Sequence, residues 1–269
     1  MDEIRKLQLD DWHRLKESYS CALKVKSERL NDKKKKDLIE LDKWFQEELS
    51  KTIQGRKEKH ITHEELCKLM KWKLTRGKFR PRLEQMVQTN PEEEVLIASK
   101  KAFKLLPNLP AAIEALSVLK AIGPATASAS YIFIDGLFTS ILSLDNSHLP
   151  TFTINDIMLD IFAAVLAAGA PEVAAFMADE SMLALPGLKP LAYTLGFYNQ
   201  YMDQVKGIVK QLNKDDTCKW TAHDVELCLW TYYILKTLEP DMLKSTIKQT
   251  SPNGESDSGQ RKKRKRDAE

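Results

Sequence analysis

Six basic residues and no acidic residue occupy the positions from Lys71 to Arg82. Lysine and arginine neutralise phosphate groups, and interleaved aromatic rings can stack on bases, so this segment is a candidate nucleic-acid contact. The same pattern is typical of a helix end whose cations favour the helix dipole and whose rings are buried, and the sequence leaves both interpretations open. The basic side chains are Lys71, Lys73, Arg76, Lys78, Arg80 and Arg82, with Trp72 and Phe79 between them.

A second candidate contact is the segment 116–129, which has the pattern of a tight turn between two helices. Leu119 and Ile122 are its apolar anchors, and Gly123 lies in the turn. The amide hydrogens and dipole at the start of the second helix can hold one backbone phosphate. The predicted phosphate contacts of this turn are Lys120, Ile122, Gly123, Ala125 and Thr126.

The turn resembles the helix-hairpin-helix motif, L-x-G-h-G-x-x-T-A with h apolar, within residues 112–129. Gly123 matches the second glycine and Thr126 matches the threonine, whereas Ala121 replaces the first glycine. If that position requires a positive φ, alanine costs about 1 kcal/mol there. The other interpretation is an ordinary joint in a helical core.

A hairpin inside a helical sequence is distantly similar to the helix-hairpin-helix DNA glycosylase superfamily. In that family an aspartate downstream of the hairpin activates the nucleophile, and bifunctional members have a lysine two residues after the second glycine. Ala125 stands at the lysine position, so the resemblance implies no Schiff-base chemistry. Asp179 is the candidate catalytic aspartate, although a solvated acidic pair with Glu180 is the favoured interpretation. Enzymatic activity stays open: a non-enzyme is favoured, and a monofunctional glycosylase-like protein is the alternative.

The segments Thr62–Leu66, Met70–Leu74 and Arg76–Pro81 also resemble a signature of an uncharacterised family of eukaryotic proteins. The resemblance covers roughly residues 60–245, apart from the segment 130–164. It implies an all-α fold and no particular activity.

Residues 130–164 contain no lysine or arginine, although the chain has 41 such residues in 269. Their excision joins Ala125–Ala129 to Val165 in one periodic helix and brings Asp179 close to the glycosylase spacing from Gly123. We therefore interpret 130–164 as an isoform insertion and expect its deletion to raise solubility and melting temperature.

Helical periodicity dominates the rest of the chain and predicts an all-α helical bundle. Residues 1–60 are predicted to form amphipathic helices, with Leu38, Leu41, Phe45 and Leu49 on one face. Residues 61–245 form the predicted helical core. Within it, capping patterns start helices at Thr62 with Glu65, at Asn90 before Pro91 and Glu92–Glu94, and at Thr221 with Asp224. Buried stripes follow at Leu66, Leu69, Met70 and Leu74, and at Val225, Leu229, Trp230 and Tyr233; Gly77 is expected to end the first of these helices.

Residues 246–269 have almost no apolar side chains, so we expect a disordered tail. The tail ends in a compact basic run that is typical of a nuclear-import signal and predicts a nuclear protein with an import receptor as partner. The whole chain has a net charge of +3 and its last nine residues have +4, so the rest of the chain has −1. Any DNA surface elsewhere must therefore be a local patch. The run consists of Arg261, Lys262, Lys263, Arg264, Lys265 and Arg266.

Two functions from different classes fit this sequence. The first is a nuclear protein that binds the phosphate backbone of DNA without sequence selection. The second is a nuclear helical interaction module whose hairpin is only structural. No cofactor, metal or membrane segment is predicted, because the four cysteines are widely spaced and the apolar stretches are interrupted by charges.

Overall fold

The computed structural model describes residues 4–77, 81–119, 154–215 and 219–248. Every regular element in these ranges is helical, which confirms the predicted all-α class. A 3-10 turn at Ile4–Lys6 comes first, and a π-helical segment at Trp44–Leu49 joins α3 to α4. The α-helices are α1 (Leu9–Glu17), α2 (Tyr19–Ser27), α3 (Asp32–Lys43), α4 (Ser50–Gly55), α5 (His63–Arg76), α6 (Pro81–Gln88), α7 (Glu92–Leu105), α8 (Leu109–Leu116), α9 (Ile154–Gly169), α10 (Asp179–Ala184), α11 (Leu195–Asp215), α12 (Ala222–Leu238) and α13 (Pro240–Lys248).

Helix α5 begins with the predicted capping box. The hydroxyl of Thr62 accepts a hydrogen bond from the amide of Glu65 at 3.2 Å, and the Glu65 carboxylate accepts one from the amide of Thr62 at 2.9 Å. Two amides at the start of the helix are thereby satisfied. The helix ends at Gly77, and its predicted stripe is buried: Leu66, Leu69, Met70 and Leu74.

Helix α12 is the central element of the bundle. Thr221 and Asp224 form the predicted capping box at its start. The helix packs against α1, α2, α10, α11 and α13. Val225, Leu229 and Trp230 are buried as predicted, while Tyr233 is only partly buried. Because α12 has neighbours on most sides, it also carries the buried polar residues Glu226 and Thr231.

The start of α7 differs from the prediction by one residue. Pro91, rather than Asn90, is the N-cap, and its carbonyl accepts the first helical hydrogen bond from Val95 at 3.1 Å. The Asn90 amide is buried and donates to the carbonyl of Val87 at 3.0 Å. The Asn90 side chain therefore provides a hydrogen bond to a carbonyl at the end of α6 and does not cap α7.

The predicted apolar face of residues 38–49 is buried, but it lies on two kinds of helix. Leu38 and Leu41 belong to α3, whereas Phe45 and Leu49 belong to the π-helical segment. In this wider turn the Phe45 ring stacks on Trp72 of α5, with centroids 3.8 Å apart. The hydrogen bonds of a π-helix span one residue more than those of an α-helix, and the residue types in this segment did not indicate that difference.

Helix α9 crosses residue 164, the predicted end of the insertion. The helix runs without interruption through Ala164 to Gly169. Leu159 and Ile161–Ala164 are buried in the core. The last part of the segment 130–164 is thus packed in the core, and the origin of the segment as an insertion stays a prediction; residues 130–153 lie outside the described residues.

Helix α13 corrects the predicted start of the tail at residue 246. The helix extends to Lys248, and Ile247 packs against the core. The carbonyl of Thr246 accepts a hydrogen bond from the Arg14 guanidinium at 2.7 Å, which ties α13 to α1. The rest of the tail, with its basic run, lies outside the described residues.

The helices that flank the predicted hairpin pack together. Helix α8 lies along α7 and also contacts α9. Leu119, one of the two predicted apolar anchors, is 3% exposed. The predicted turn itself, including Lys120, Ile122, Gly123, Ala125 and Thr126, lies outside the described residues.

Candidate phosphate-binding surface

Two of the six predicted cations between Lys71 and Arg82 are in the core. Arg76 is 1% exposed and Lys73 is 7% exposed. This burial corrects the expectation that the two side chains contact DNA, because neither has a surface on which a phosphate could bind. Lys71 is half-exposed, and its ammonium lies 3.3 Å from the carboxylate of Asp37. Lys78 and Arg80, and the side chain of Arg82, lie outside the described part of the chain.

Arg76 forms a buried ion pair with Glu226 of α12. Both terminal nitrogens of the guanidinium lie 3.1 Å from Oε1 of Glu226, and Nη2 lies 3.4 Å from Oε2. Ser181 of α10 donates a hydrogen bond to the same Oε1 at 2.7 Å. The ion pair therefore joins α5, α10 and α12, and its role is in the fold.

Aromatic rings surround the Arg76 guanidinium. Its central carbon lies 4.5 Å from the ring centroid of Trp230 and 5.3 Å from that of Trp72. Phe176 and Tyr19 follow at 5.5 and 5.9 Å. A guanidinium is weakly hydrated and stacks well on aromatic faces, so arginine tolerates this environment better than lysine would.

The two charges of this pair respond differently to burial. Burial raises the pKa of Glu226, although the positive charge of Arg76 opposes the shift. Burial alone would lower the pKa of Arg76, but the charge of Glu226 outweighs it and raises that pKa above its ordinary value. Arg76 is therefore the member of the pair that stays charged under all ordinary conditions.

A chain of hydrogen bonds runs from the interior towards the start of α12. The Asp42 carboxylate accepts from the Tyr19 hydroxyl at 2.8 Å and from the Trp72 indole at 2.9 Å. The Gln46 amide donates to the Tyr19 hydroxyl at 3.3 Å, and its carbonyl lies 2.6 Å from Nε2 of His223. This order assigns the hydrogen of neutral His223 to Nε2.

His223 is held in its neutral form. Burial lowers its pKa from 6.5 to about 4, and the positive charges of Arg76 and Lys16 act in the same direction. His223 also lines a cavity of about 250 Å³ between the π-helical segment, the end of α9 and the start of α12. Its Nδ1 is buried without a hydrogen-bond partner.

The sequence did not indicate a second group of cations, in which two short segments with five lysines between them are joined by the contacts of Glu58 with Lys100 and Lys104. They lie in the connection from α4 to α5 and on the last turns of α7. Four of the lysines are exposed, and Lys100 is half-buried. We call this group the lysine surface; its members are Lys57, Glu58, Lys59, Lys100, Lys101 and Lys104.

Glu58 is the centre of the lysine surface. One of its carboxylate oxygens lies 2.8 Å from the ammonium of Lys100, and the other lies 2.8 Å from that of Lys104. These two lysines lower the pKa of Glu58 from 4.5 to about 2. The ammonium of Lys59 donates to the carbonyl of Gly169 at 3.2 Å, which places the end of α9 beside the group.

Gly169 shows how closely these elements approach. A Cβ at this position would lie 2.2 Å from a ring carbon of Phe103 on α7, well inside contact distance. Only glycine lets α9 come this close to α7. The lysines of α7 and the carbonyl that Lys59 contacts are therefore held in a fixed relation.

Asp179 is the first residue of α10 and is partly buried. Its carboxylate accepts a hydrogen bond from the hydroxyl of Tyr193. Glu180, its predicted partner in a solvated acidic pair, instead forms an ion pair with Lys26 of α2. The position of Asp179 relative to the hairpin turn lies outside the described residues.

In residues 4–77, 81–119, 154–215 and 219–248, no three His, Cys, Asp or Glu side chains are grouped as metal ligands. In the same ranges, no helix is both long enough and apolar enough to cross a membrane.

Comparisons of the chain with protein-family models, with curated proteins and with solved structures found no match in any of the three.

Proposed function

We propose that this chain is a nuclear protein that binds the phosphate backbone of DNA without reading the bases. The lysine surface and the turn of the predicted hairpin make the contact. The observation that carries the proposal is the charge of the lysine surface, which holds five lysines and one glutamate, with Lys100 and Lys104 bound to Glu58. Phosphate contacts of this kind give affinity and orientation but no sequence information.

The chemistry of the lysine surface suits a backbone contact better than a base contact. Lysine ammonium groups are compact point charges that bind phosphate, whereas base edges are read most often by the planar fork of arginine. The body of the chain apart from its last nine residues has a net charge of −1, so a local patch must supply the attraction. Binding of this type is salt-sensitive, because each neutralised phosphate releases condensed counterions.

A second function, the helical interaction module, is favoured by a specific observation. Arg76 and Lys73, which made the segment 71–82 look like a DNA contact, are buried, and Arg76 is neutralised by Glu226. In this alternative the hairpin is likewise a structural joint and the partner is another protein. The alternative predicts that removing exposed lysines leaves DNA binding at background level throughout.

The test is a titration of a labelled 20-base-pair duplex with the protein, in which fluorescence anisotropy reports binding. The titration is repeated over a range of salt concentrations. The variant Lys101→Ala/Lys104→Ala removes two exposed cations of the lysine surface. The matched control Lys33→Ala/Lys36→Ala removes two exposed cations from the start of α3. We expect the first variant to bind more weakly. The slope of the logarithm of its binding constant against the logarithm of salt concentration should become shallower by up to about 2, since each phosphate contact contributes about 0.9.

The predicted hairpin is tested in the same assay. Gly123→Val should block the close approach of a phosphate to the turn backbone, and it should weaken binding without changing the sequence preference. If the folded variant binds the duplex as well as the unchanged chain does, the hairpin is only structural. Equal binding by both double-lysine variants would contradict the role of the lysine surface.

We propose binding without turnover. A panel of duplexes with abasic sites and damaged bases should show no strand cleavage and no base release. Release of a base that Asp179→Asn abolishes would instead establish the monofunctional glycosylase-like alternative.

A further inference from the structure

Lys100 and Lys104 present two ammonium groups to one anion. They lie one helical turn apart on α7, so their side chains emerge on the same face. Each donates to a different oxygen of Glu58, both at 2.8 Å. The pair is thus a preformed two-point clamp that already holds a carboxylate.

We propose that this clamp is a binding site for a phosphate group and that Glu58 occupies it as a built-in competitor. The proposal rests on the proposed function and adds a regulatory element to the same surface. Two oxygens of a tetrahedral phosphate are separated by nearly the same distance as the two oxygens of a carboxylate. A phosphate therefore replaces Glu58 without rearrangement of the lysines.

Glu58 is placed so that it can leave. Its side chain is 44% exposed and belongs to the irregular connection between α4 and α5, whereas both lysines are fixed on a helix. The nearby pair of Arg56 and Glu65 provides a contrast. Both of those side chains are less than 20% exposed, and Glu65 is also held by the capping box of α5. An exposed pair contributes little to folding, so the exchange of Glu58 for phosphate leaves the fold intact.

Pyrophosphate or a phosphate monoester has an electrostatic advantage over the carboxylate that it displaces, while a DNA diester matches that carboxylate in charge. A phosphate diester retains one negative charge and a monoester carries more, while Glu58 carries one. When Glu58 swings out, its charge moves away and the remaining lysines of the surface face the incoming phosphate. The cost of binding is the loss of the Glu58 contacts, and this cost disappears when Glu58 is neutral.

The test compares Glu58→Gln with Glu40→Gln. Glu40 is an exposed acid whose carboxylate lies 3.7 Å from a single lysine, Lys36, so its variant removes the same charge without opening a clamp. Pyrophosphate and the labelled duplex are the probes. We expect Glu58→Gln to bind both about fivefold more tightly, the effect of one unit charge at contact distance in water. Glu40→Gln should bind both as the unchanged chain does.

A second readout follows Glu58 directly. The carboxyl ¹³C resonance of Glu58, titrated by NMR, should report a pKa of about 2 in the free protein. The pKa should rise towards 4.5 when pyrophosphate is added, or in the variant Lys100→Ala/Lys104→Ala. A pKa near 4.5 in the free protein, or unchanged affinity in Glu58→Gln, would overturn the proposal.

The two proposals fail in different ways. If Glu58→Gln binds pyrophosphate more tightly but no variant binds the duplex, the clamp is a phosphate site and the DNA function is wrong. If the duplex binds and depends on Lys101 and Lys104 but is indifferent to Glu58→Gln, the DNA function stands and the competitor role of Glu58 is wrong.

Discussion

Arg76 and Glu226 lie 150 positions apart in the sequence, and in the fold they form an ion pair in which each side chain is 1% exposed. The pair explains how Arg76, in the middle of a strongly basic segment, can lie inside the core. It also changes what a mutation at Arg76 reports, because a loss of function there would follow from a loss of folding.

The two halves of this pair should differ in how well the fold tolerates their loss. Glu226→Met leaves a guanidinium that cannot give up its proton, and we expect a loss of about 3–5 kcal/mol in the free energy of unfolding. Arg76→Met leaves a carboxyl that can become neutral by binding a proton, so its loss should be smaller. Urea denaturation at pH 7 measures both. The double variant should be more stable than Glu226→Met alone, and strict additivity would contradict the pairing.

The Arg76→Met variant also carries a pH signature. Without Arg76, burial raises the pKa of Glu226 further, so the folded state binds a proton that the unfolded chain releases at neutral pH. As the pH falls from 7 towards 5, the free energy of unfolding of this variant should therefore increase relative to that of a variant without Glu226. The variant Arg76→Met/Glu226→Met serves as that control, because it keeps His223 but has no carboxyl at position 226.

His223 should make the unmodified protein less stable in mild acid. Its pKa is about 4 in the folded state and about 6.5 when unfolded, so between these values only the unfolded chain binds the proton. The free energy of unfolding should fall by about 1–2 kcal/mol from pH 7 to pH 5, allowing for the partial exposure of the residue. Denaturation of His223→Gln over the same range is the comparison. An identical pH dependence in that variant would show that His223 is not the cause.

Two deletions separate the possible insertion from the core. Removal of 130–164 would place Ala127 where α9 now has Phe162, and Thr126 where it has Ile161. Both replaced side chains are buried, and the loss of a buried phenylalanine side chain costs about 3–5 kcal/mol. Removal of 130–153 keeps the whole of α9. We expect the shorter deletion to melt at the higher temperature; the reverse order would support an insertion that ends at residue 164.

The basic run at the end of the chain is expected to direct nuclear entry. The test uses a fluorescent fusion that is too large to enter the nucleus by diffusion. In this fusion, replacement of Lys262, Lys263, Arg264 and Lys265 by alanine should shift the fluorescence from the nucleus to the cytoplasm, as seen by microscopy. Nuclear accumulation that persists in this variant would count against the import signal.

Local signals in the sequence predicted much of the fold, because they depend on neighbouring residues. The capping box of Thr62 with Glu65 and that of Thr221 with Asp224 are examples, as is the buried stripe of α5. The interior position of Arg76 could not be predicted, since its partner is 150 residues away and nothing near Arg76 indicates Glu226. The lysine surface was missed for a similar reason. Lys57–Lys59 and Lys100–Lys104 are each short and ordinary, and only the packing of α7 beside the α4–α5 connection gathers them.

The contact of α1 with the last two helices has a consequence for how the protein is made. The carbonyl of Trp12 accepts a hydrogen bond from Cys228, and Arg14 donates to the carbonyl of Thr246, so the first helix completes its packing only against the last ones. A ribosome adds about 5–20 residues per second, which leaves Trp12 and Leu15 waiting on the order of tens of seconds for their partners. We therefore expect the apolar face of α1 to stay uncovered during synthesis until α12 and α13 leave the ribosome.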